Sequence, residues 1–408
     1  MSWNLPPFDL TQPIQWNALL LFGSLLLMGL IGGHLVSKNA WIPRITGYLL
    51  VGFLLGGGGL QWLSGDVLKL ATIFADIALA LMVYQLGRYV DIGWLRIEKW
   101  LVTTVLVSAL LCFTFVWLGL EWAGIARPQA MLAGVFSIGI APAVVMVVIR
   151  DLRAEGHVTR RLAAMTALSN LVALLAAYVM LPIVATETST PLQQMLASTL
   201  YSLFGSLLLA YITYRIMLAL ARLLGRERSR QFVLVIAIIT LILGAAHALR
   251  LPVLLTMLAF AILSKNLDLQ YDLMELEFGV ASELFIVMLF VTIGASIRLS
   301  DVTAVGMPVA VLIGARFAAM ACGILAFARL AKLRWRQAAL LTLGTLPLSQ
   351  SSLGLAQISS LYPQTAASVA PLLAGTLIIL ELVGPIATQF ALIKSGEGGH
   401  ERQDPLTQ

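Results

Sequence analysis

Charged side chains are scarce in this sequence: Asp, Glu, Lys and Arg together make up 11% of its 408 residues. A soluble domain carries about a quarter of its residues as charges, whereas 60% of this chain is hydrophobic. The hydrophobic residues come in repeated runs that are long enough to cross the roughly 30 Å hydrocarbon layer as helices. The scarcity of charge therefore excludes an ordinary soluble domain and predicts an all-α polytopic membrane protein.

Several kinds of functional site are also missing from the sequence. The two cysteines, Cys112 and Cys322, fall in hydrophobic runs and provide neither a metal-ligand set nor an extracellular disulfide framework. The glycine run at 56–59 lacks the lysine of a phosphate-binding loop, and no nucleophile–base pair is evident. The net charge of +6 is not carried by a basic, aromatic-interleaved domain. We therefore expect no enzyme, no cofactor, no metal site and no nucleic-acid partner.

The hydrophobic runs predict thirteen membrane spans in a single membrane domain over residues 1–394, followed by a disordered cytoplasmic tail over 395–408. The heavily basic loops follow odd-numbered spans, so the positive-inside rule predicts an N-terminus outside and a C-terminus in the cytoplasm. The spans run approximately over residues 17–37, 44–60, 69–88, 101–122, 129–149, 162–184, 195–221, 231–248, 252–265, 280–297, 303–328, 338–360 and 367–392.

Two of these spans are interrupted in corresponding places. Spans 1–6 and 8–13 have opposite orientations, so they predict two inverted six-helix repeats that are joined by span 7, as in secondary transporters. A proline inside a helix removes a backbone hydrogen bond that hydrocarbon cannot replace, so interrupted spans indicate a binding site within the membrane. The interruptions are Gly139, Ile140, Ala141 and Pro142 in span 5, and Gly344 and Pro347 in span 12, followed by the polar run Ser349, Gln350, Ser351 and Ser352.

Four ionisable residues fall inside predicted spans, namely Asp76, Glu283, Arg316 and Glu381. Charges are costly in the membrane and are functional candidates by default, although each could instead form a structural ion pair or reach the interface. Arg316 and Glu381 lie near the centres of their spans, which favours a function. For Asp76 and Glu283, which lie nearer the span ends, both interpretations stay open. Arg316 needs a counter-charge or the carbonyl end of a half-helix, and Glu381 is a candidate partner.

A polar pair, Ser169-Asn170, lies about a third of the way into span 6. The Asn170 side chain can offer a carbonyl oxygen to a cation or a hydrogen bond to a half-helix end, but it cannot titrate. The alternative is an interhelical hydrogen bond, which Ser and Asn commonly make in membrane bundles.

Four segments together resemble the monovalent cation:proton antiporter superfamily, especially its potassium-efflux and sodium/proton exchanger branch. They are IPRITGYLLVGFLLGG, FADIALALMVYQLGRYVD, LFVTIGASIRL and ELVGPIATQFAL, in that order along nearly the whole chain. The resemblance implies a thirteen-helix homodimer in the lipid bilayer of a bacterial inner membrane. It implies core spans 4–6 and 11–13 (about 101–184 and 303–392) that move against scaffold spans 1–3 and 7–10 (about 17–88 and 195–297). Spans 5 and 12 would cross, and Arg316 matches the family's basic residue.

The sequence departs from this family where the ion binds. Relatives have Thr followed by Asp or Ser before the first proline, and this chain has Ile140-Ala141. Ser169-Asn170 replaces the pair that contains the ion-binding Asp, and Ser351-Ser352-Leu353 stands where many relatives have Gly-Gly-Glu. The site is therefore one unit more positive than in the family. At about 4 Å and an effective dielectric near 20, one charge is worth roughly 4 kcal/mol, which is enough to repel cations.

The leading hypothesis is a secondary active transporter that exchanges Na⁺ or K⁺ for protons and uses a relocated carboxylate. Glu381 is the first candidate for this carboxylate and Asp76 the second, while Ser169, Asn170 and the polar run would line the cation path. Two alternatives stay open because a fold does not fix a function. One is an uncoupled or anion-accepting pathway around Arg316, and the other is a receptor-like relative that does not transport.

Overall fold

The computed structural model describes residues 18–39, 41–60, 66–184, 192–225, 227–267, 279–297, 306–348 and 363–398. Helices account for nearly all of these residues and follow the predicted spans closely. They are α1 (Ala18–Ser37), α2 (Arg44–Leu55), α3 (Asp66–Gly87), α4 (Ile92–Ile97), α5 (Lys99–Trp122), α6 (Arg127–Phe136), α7 (Pro142–Asp151), α8 (His157–Val184), α9 (Leu192–Leu224), α10 (Arg228–Ala248), α11 (Val253–Asn266), α12 (Gly279–Ser296), α13 (Gly306–Phe327), α14 (Trp335–Gly344) and α15 (Pro363–Lys394).

The length and composition of the helices suit a membrane. Six of those described are long and apolar enough to cross it, namely α5, α8, α9, α10, α13 and α15, and five shorter helices are also apolar. Large apolar side chains such as Leu27, Leu118 and Phe204 are exposed on the outer surface of the bundle. In water such side chains would form an apolar surface prone to association, whereas in a bilayer they face lipid.

The helices pack in two groups. Helix α5 packs against α13, α6 and α8, and α14 packs against α13 and α15. Helix α12 packs against α2, α3 and α1, while α11 packs against α9 and α3. The two groups meet where α3 contacts α7 and α8. The division into core spans and scaffold spans, and the movement of one against the other, stay predictions.

The end of α15 leads into an ordered turn. Residues 395–398, which the sequence assigned to a disordered tail, return to the start of α8. The Glu397 carboxylate accepts hydrogen bonds from the backbone N–H groups of Val158 (2.9 Å) and Thr159 (2.7 Å). It also accepts one from the Thr159 hydroxyl at 2.9 Å. This carboxylate caps the positive N-terminal end of α8, which has no acidic residue in its own first turn.

Candidate functional site

Span 5 is broken near the centre of the bundle. Helix α6 ends at Phe136 and α7 begins at Pro142, so residues 137–141 are unwound. Pro142 occupies the first turn of α7, where the missing N–H of proline costs nothing. The Gly139 and Pro142 positions that predicted the interruption therefore lie in the unwound segment and at its end.

A second unwound segment meets the first. Helix α14 ends at Gly344, and residues 345–348 follow it in extended or turn conformations. The Ala141 backbone N–H donates to the Pro347 carbonyl oxygen at 3.0 Å, and Ile140 and Leu348 form an antiparallel bridge. We call the contact between segments 137–141 and 345–348 the crossing. The polar run Ser349, Gln350, Ser351 and Ser352 lies outside the described residues.

Arg316 of α13 lies at the crossing and is 1% exposed. Its guanidinium donates to carbonyl oxygens of both unwound segments, at distances from 2.6 to 3.3 Å. These carbonyls follow the C-terminal ends of α6 and α14, which carry partial negative charge. The acceptors are the carbonyl oxygens of Ser137, Gly139, Thr345, Leu346 and Pro347.

The proposed pairing of Arg316 with Glu381 is not formed in the structure. Among the residues that are described, the guanidinium is held by carbonyl oxygens and no carboxylate forms an ion pair with it. A buried charge needs compensation in a membrane, and here the dipoles of two helix ends provide it. The sequence allowed Arg316 either a counter-charge or the carbonyl end of a half-helix. The structure has the second of these, with carbonyl oxygens at the ends of two half-helices.

Asn170 of α8 is 2% exposed and holds the first unwound segment in place. Its Nδ2 donates to the Ile140 carbonyl oxygen at 2.6 Å and to the Thr166 carbonyl oxygen at 2.8 Å. Ser169 is buried beside it. This arrangement matches the interhelical hydrogen bond that the sequence left open, since the amide group acts as a donor to backbone carbonyls.

Asp76 and Glu381 line the same cavity. Its volume is about 300 Å³, and it lies between α3, α12 and α15. Glu381 is 6% exposed, whereas Asp76 is half-buried. We call this space the large cavity. It exceeds by far the roughly 10–15 Å³ that is needed to admit one water molecule. Among the described residues, the other polar ones in its wall are Thr72, Thr292 and Ser296.

A smaller void of about 20 Å³ lies between Glu381 and the start of α7, where Ala141, Pro142 and Val144 form its wall. Glu381 belongs to the walls of both spaces and so lies between the large cavity and the crossing. The N-terminal end of a helix such as α7 carries partial positive charge, which favours a nearby carboxylate ion. Burial opposes that charge, and a proton or a bound cation would relieve the cost.

Glu283 lies apart from these residues. Its carboxylate forms an ion pair with Arg44 at 3.7 Å, and both side chains are partly exposed. Exposed pairs of this kind contribute about 0–1 kcal/mol to stability. Glu283 is also absent from the walls of the described cavities that contain Asp76 and Glu381.

Sequence reasoning missed the hydroxyl groups of α12. Thr292 and Ser296 are four residues apart, so they lie on one face of the helix and line the large cavity together. Their spacing inside the segment LFVTIGAS was visible in the sequence. Hydroxyl residues are so common in membrane helices, however, that spacing alone does not distinguish these two.

Comparison with known proteins identifies a family for most of the chain. The profile of the family described as "Sodium/hydrogen exchanger, transmembrane" matches residues 22–394. A Na(+)/H(+) antiporter of Enterococcus hirae is 29% identical over 123 residues, which are 30% of this chain and 31% of that protein. The matched segment therefore spans about a third of that relative's length.

The fold is shared with the sodium proton antiporter MjNhaP1 from Methanocaldococcus jannaschii. Its structure at pH 8 has a TM-score of 0.63 at 16% sequence identity, and the match covers 92% of this chain and 95% of that one. The structure from its 3D EM map has a TM-score of 0.68 at 19% identity, covering 93% and 97%. The predicted fold of about thirteen spans, with inverted repeats and crossed broken helices, is confirmed by this likeness, which at these identities concerns the fold alone.

Proposed function

Since this chain belongs to the family of transmembrane sodium/hydrogen exchangers, we propose that it is a secondary active transporter that exchanges Na⁺ or K⁺ for protons. The observation that carries this proposal is the position of Glu381. This buried carboxylate lines both the large cavity and the small void beside Pro142. It therefore lies where a cation that enters the large cavity would approach the crossing.

Glu381 takes the role of the carboxylate that the family has at the position of Asn170. A carboxylate in a partly dry site is stabilised by one positive partner at a time, either a proton or a cation. Because Arg316 is balanced by carbonyl oxygens, its charge does not need Glu381. Competition between a proton and a cation for this group couples the two fluxes.

Alternating access would follow from the two helix groups. The core spans carry the crossing, Arg316 and Glu381, and they would move as a unit against the scaffold spans. Under the predicted orientation, α3 would begin and α12 would end on the outer side, so the large cavity, which Thr72 and Ser296 line, would open toward the outside. The scaffold spans would form a homodimer in the cytoplasmic membrane, as the family resemblance implies.

An anion pathway around Arg316 is less well supported. The Arg316 guanidinium already donates to five carbonyl oxygens, one from Nε, one from Nη1 and three that share the two N–H groups of Nη2. An anion would have to displace these acceptors and break the crossing. The second candidate function is that of a receptor-like protein that has this fold but does not transport ions. Measurements of ion flux distinguish it from an exchanger.

The experiment is proton flux in proteoliposomes, followed with a pH-sensitive dye after addition of Na⁺, K⁺ or Li⁺. We expect cation-dependent proton flux for the natural protein and loss of at least 90% of it in Glu381→Gln, because the amide cannot exchange a proton for a cation.

The matched control is Glu283→Gln, which removes a carboxylate from the same protein but outside the cavity. It should retain the natural rate. Equal flux in Glu381→Gln and Glu283→Gln would remove Glu381 from the mechanism. Absence of flux with every cation in the natural protein would favour the relative that does not transport.

A further inference from the structure

Six basic side chains lie together where α5 begins and α13 ends. They belong to two segments of the chain, 96–100 and 329–336. The ring of Trp100 stacks on the ring of Phe327 with 6.1 Å between centroids, so the two segments are neighbours. We call the exposed surface of these segments the basic patch. Its basic residues, all exposed, are Arg96, Lys99, Arg329, Lys332, Arg334 and Arg336.

Arg161 of α8 holds the two segments together beneath the patch. It is 4% exposed, and its guanidinium forms an ion pair with the Glu98 carboxylate at 2.8 Å. The same guanidinium donates to the Ala331 carbonyl oxygen at 2.6 Å. Because one buried side chain contacts both segments, the basic patch is a single surface of fixed shape.

The basic patch has an excess of positive charge. Across the part of the chain that the structure describes, no carboxylate forms an ion pair with any of its six basic residues. Glu98, which lies between Arg96 and Lys99 in the chain, is paired with the buried Arg161 instead. The six charges are therefore available to an anionic partner outside the chain.

Large apolar side chains lie among these charges. They are exposed, Ile97 by 82%, and the Arg329 guanidinium lies over the Trp335 ring at 5.5 Å from its centroid. Tryptophan beside basic residues at the ends of membrane helices is typical of the headgroup level, and α5 and α13 are long and apolar enough to cross a membrane. The apolar residues are Ile97, Trp100, Leu330 and Trp335.

An anionic phospholipid matches both properties of the surface. We propose that the basic patch binds the headgroups of anionic phospholipids of the phosphatidylglycerol class, while its apolar side chains contact the adjoining part of the acyl chains. Phosphate oxygens accept charge-assisted hydrogen bonds from Arg and Lys. A soluble anion would match the charge but not the apolar side chains. No residue of the patch is among the described residues that line the large cavity, so this inference does not depend on the proposed exchange.

The test is lipid binding to the purified full-length protein. Thermal unfolding in detergent at low ionic strength is followed as phosphatidylglycerol or phosphatidylcholine with the same acyl chains is added, since a ligand of the folded state raises the melting temperature. We expect stabilisation by phosphatidylglycerol above that by phosphatidylcholine. The triple variant Lys99→Gln, Arg329→Gln, Arg336→Gln should bind phosphatidylglycerol on the order of a hundredfold more weakly, since each cation contributes about fivefold.

Two controls isolate the patch and the lipid. The triple variant Lys38→Gln, Arg153→Gln, Arg230→Gln removes the same charge from exposed positions outside the patch, and it should bind phosphatidylglycerol nearly as the natural protein does. Glycerol 3-phosphate has the phosphate without acyl chains, so it should give almost no stabilisation.

A second measurement locates the bound lipid. Phosphatidylglycerol with brominated acyl chains quenches the fluorescence of nearby tryptophans, of which the chain has nine. It should quench the natural protein more than brominated phosphatidylcholine does. The double variant Trp100→Phe, Trp335→Phe should lose most of this difference, because it lacks the two tryptophans of the patch.

Four results would each overturn the inference. They are equal stabilisation by the two lipids, equal losses of affinity in the two triple variants, an unchanged quenching difference in the tryptophan variant, and stabilisation by glycerol 3-phosphate that equals that by phosphatidylglycerol. The last would indicate a site for a soluble phosphate. None of them bears on the exchanger, which is tested separately by proton flux.

Discussion

Arg316 is a buried charge that the protein stabilises without a carboxylate. Its guanidinium joins carbonyl oxygens from the two unwound segments and so fixes how they cross. The planar group has N–H donors in several directions, which a point charge does not have. At this position the residue therefore acts as a structural link between the two broken spans.

The variant Arg316→Lys tests this role. The ammonium keeps the charge but cannot reach all five carbonyl oxygens, so several buried acceptors lose their donors. With about 0.5–1.5 kcal/mol for each lost hydrogen bond, the free energy of unfolding should fall by roughly 2–4 kcal/mol. Reversible unfolding in detergent, followed by circular dichroism, measures it.

Arg336→Lys is the matched control, since Arg336 is exposed in α14. Its substitution should change stability by less than about 0.5 kcal/mol. A similar small effect in both variants would show that the guanidinium does not hold the crossing together.

Residue roles were only partly predictable from the sequence. Because Arg316 lies near the middle of its span, its charge needs either a carboxylate or the carbonyl end of a helix. The sequence alone does not show which of the two compensates it. The choice depends on where the carbonyls of residues 137–141 and 345–348 point, which only the crossing determines. Thr292 was missed because its place in the cavity wall is a property of the packed structure.

At the scale of elements, close packing of α2 against α12 positions one wall of the large cavity. A Cβ atom on Gly294 of α12 would collide with the Leu49 carbonyl oxygen of α2, and one on Gly52 with the Val291 carbonyl oxygen. Small residues allow membrane helices to approach this closely. Because Thr292 lies two residues before Gly294, the same contact fixes its position.

The variant Gly294→Ala should therefore separate the two helices. We expect a loss of roughly 1–3 kcal/mol in the free energy of unfolding, which is typical of overpacking. Gly314→Ala in α13 is the control, because in the described part of the chain no atom other than those of its own helical turn lies within 4 Å of the added Cβ. That variant should be neutral or up to about 1 kcal/mol more stable. Equal stability of the two variants, measured by thermal unfolding, would contradict close packing of α2 and α12.

Most helices were predictable because the length of a hydrophobic run determines a membrane span, and glycine and proline interrupt a helix where they occur in the sequence. The predicted interruption at 139–142 lies within a few residues of the unwound segment 137–141. Helix α4 was missed, since its six residues are too few for a span. It begins after Asp91, whose side chain accepts a hydrogen bond from the Trp94 backbone N–H at 3.1 Å.

At the scale of the whole molecule, hydrophobic spans and basic loops were enough to predict the inverted repeat. The shared fold confirms that prediction. The predicted orientation and the homodimer depend on a bilayer and on a second chain, and both stay predictions. The sequence could not show that Asp76 and Glu381 share one cavity, because they are about 300 positions apart and lie on α3 and α15, which line the cavity together with α12.

The proposed exchange depends on one carboxylate, Glu381, which would bind either a proton or a cation. Proton release on cation binding tests it most directly: Na⁺, K⁺ or Li⁺ is added to detergent-solubilised protein in weak buffer with a pH indicator. The natural protein should release up to about one proton per chain, because binding displaces the proton from the same group. Glu381→Gln should release almost none, and release from that variant equal to the natural protein's would contradict the claim.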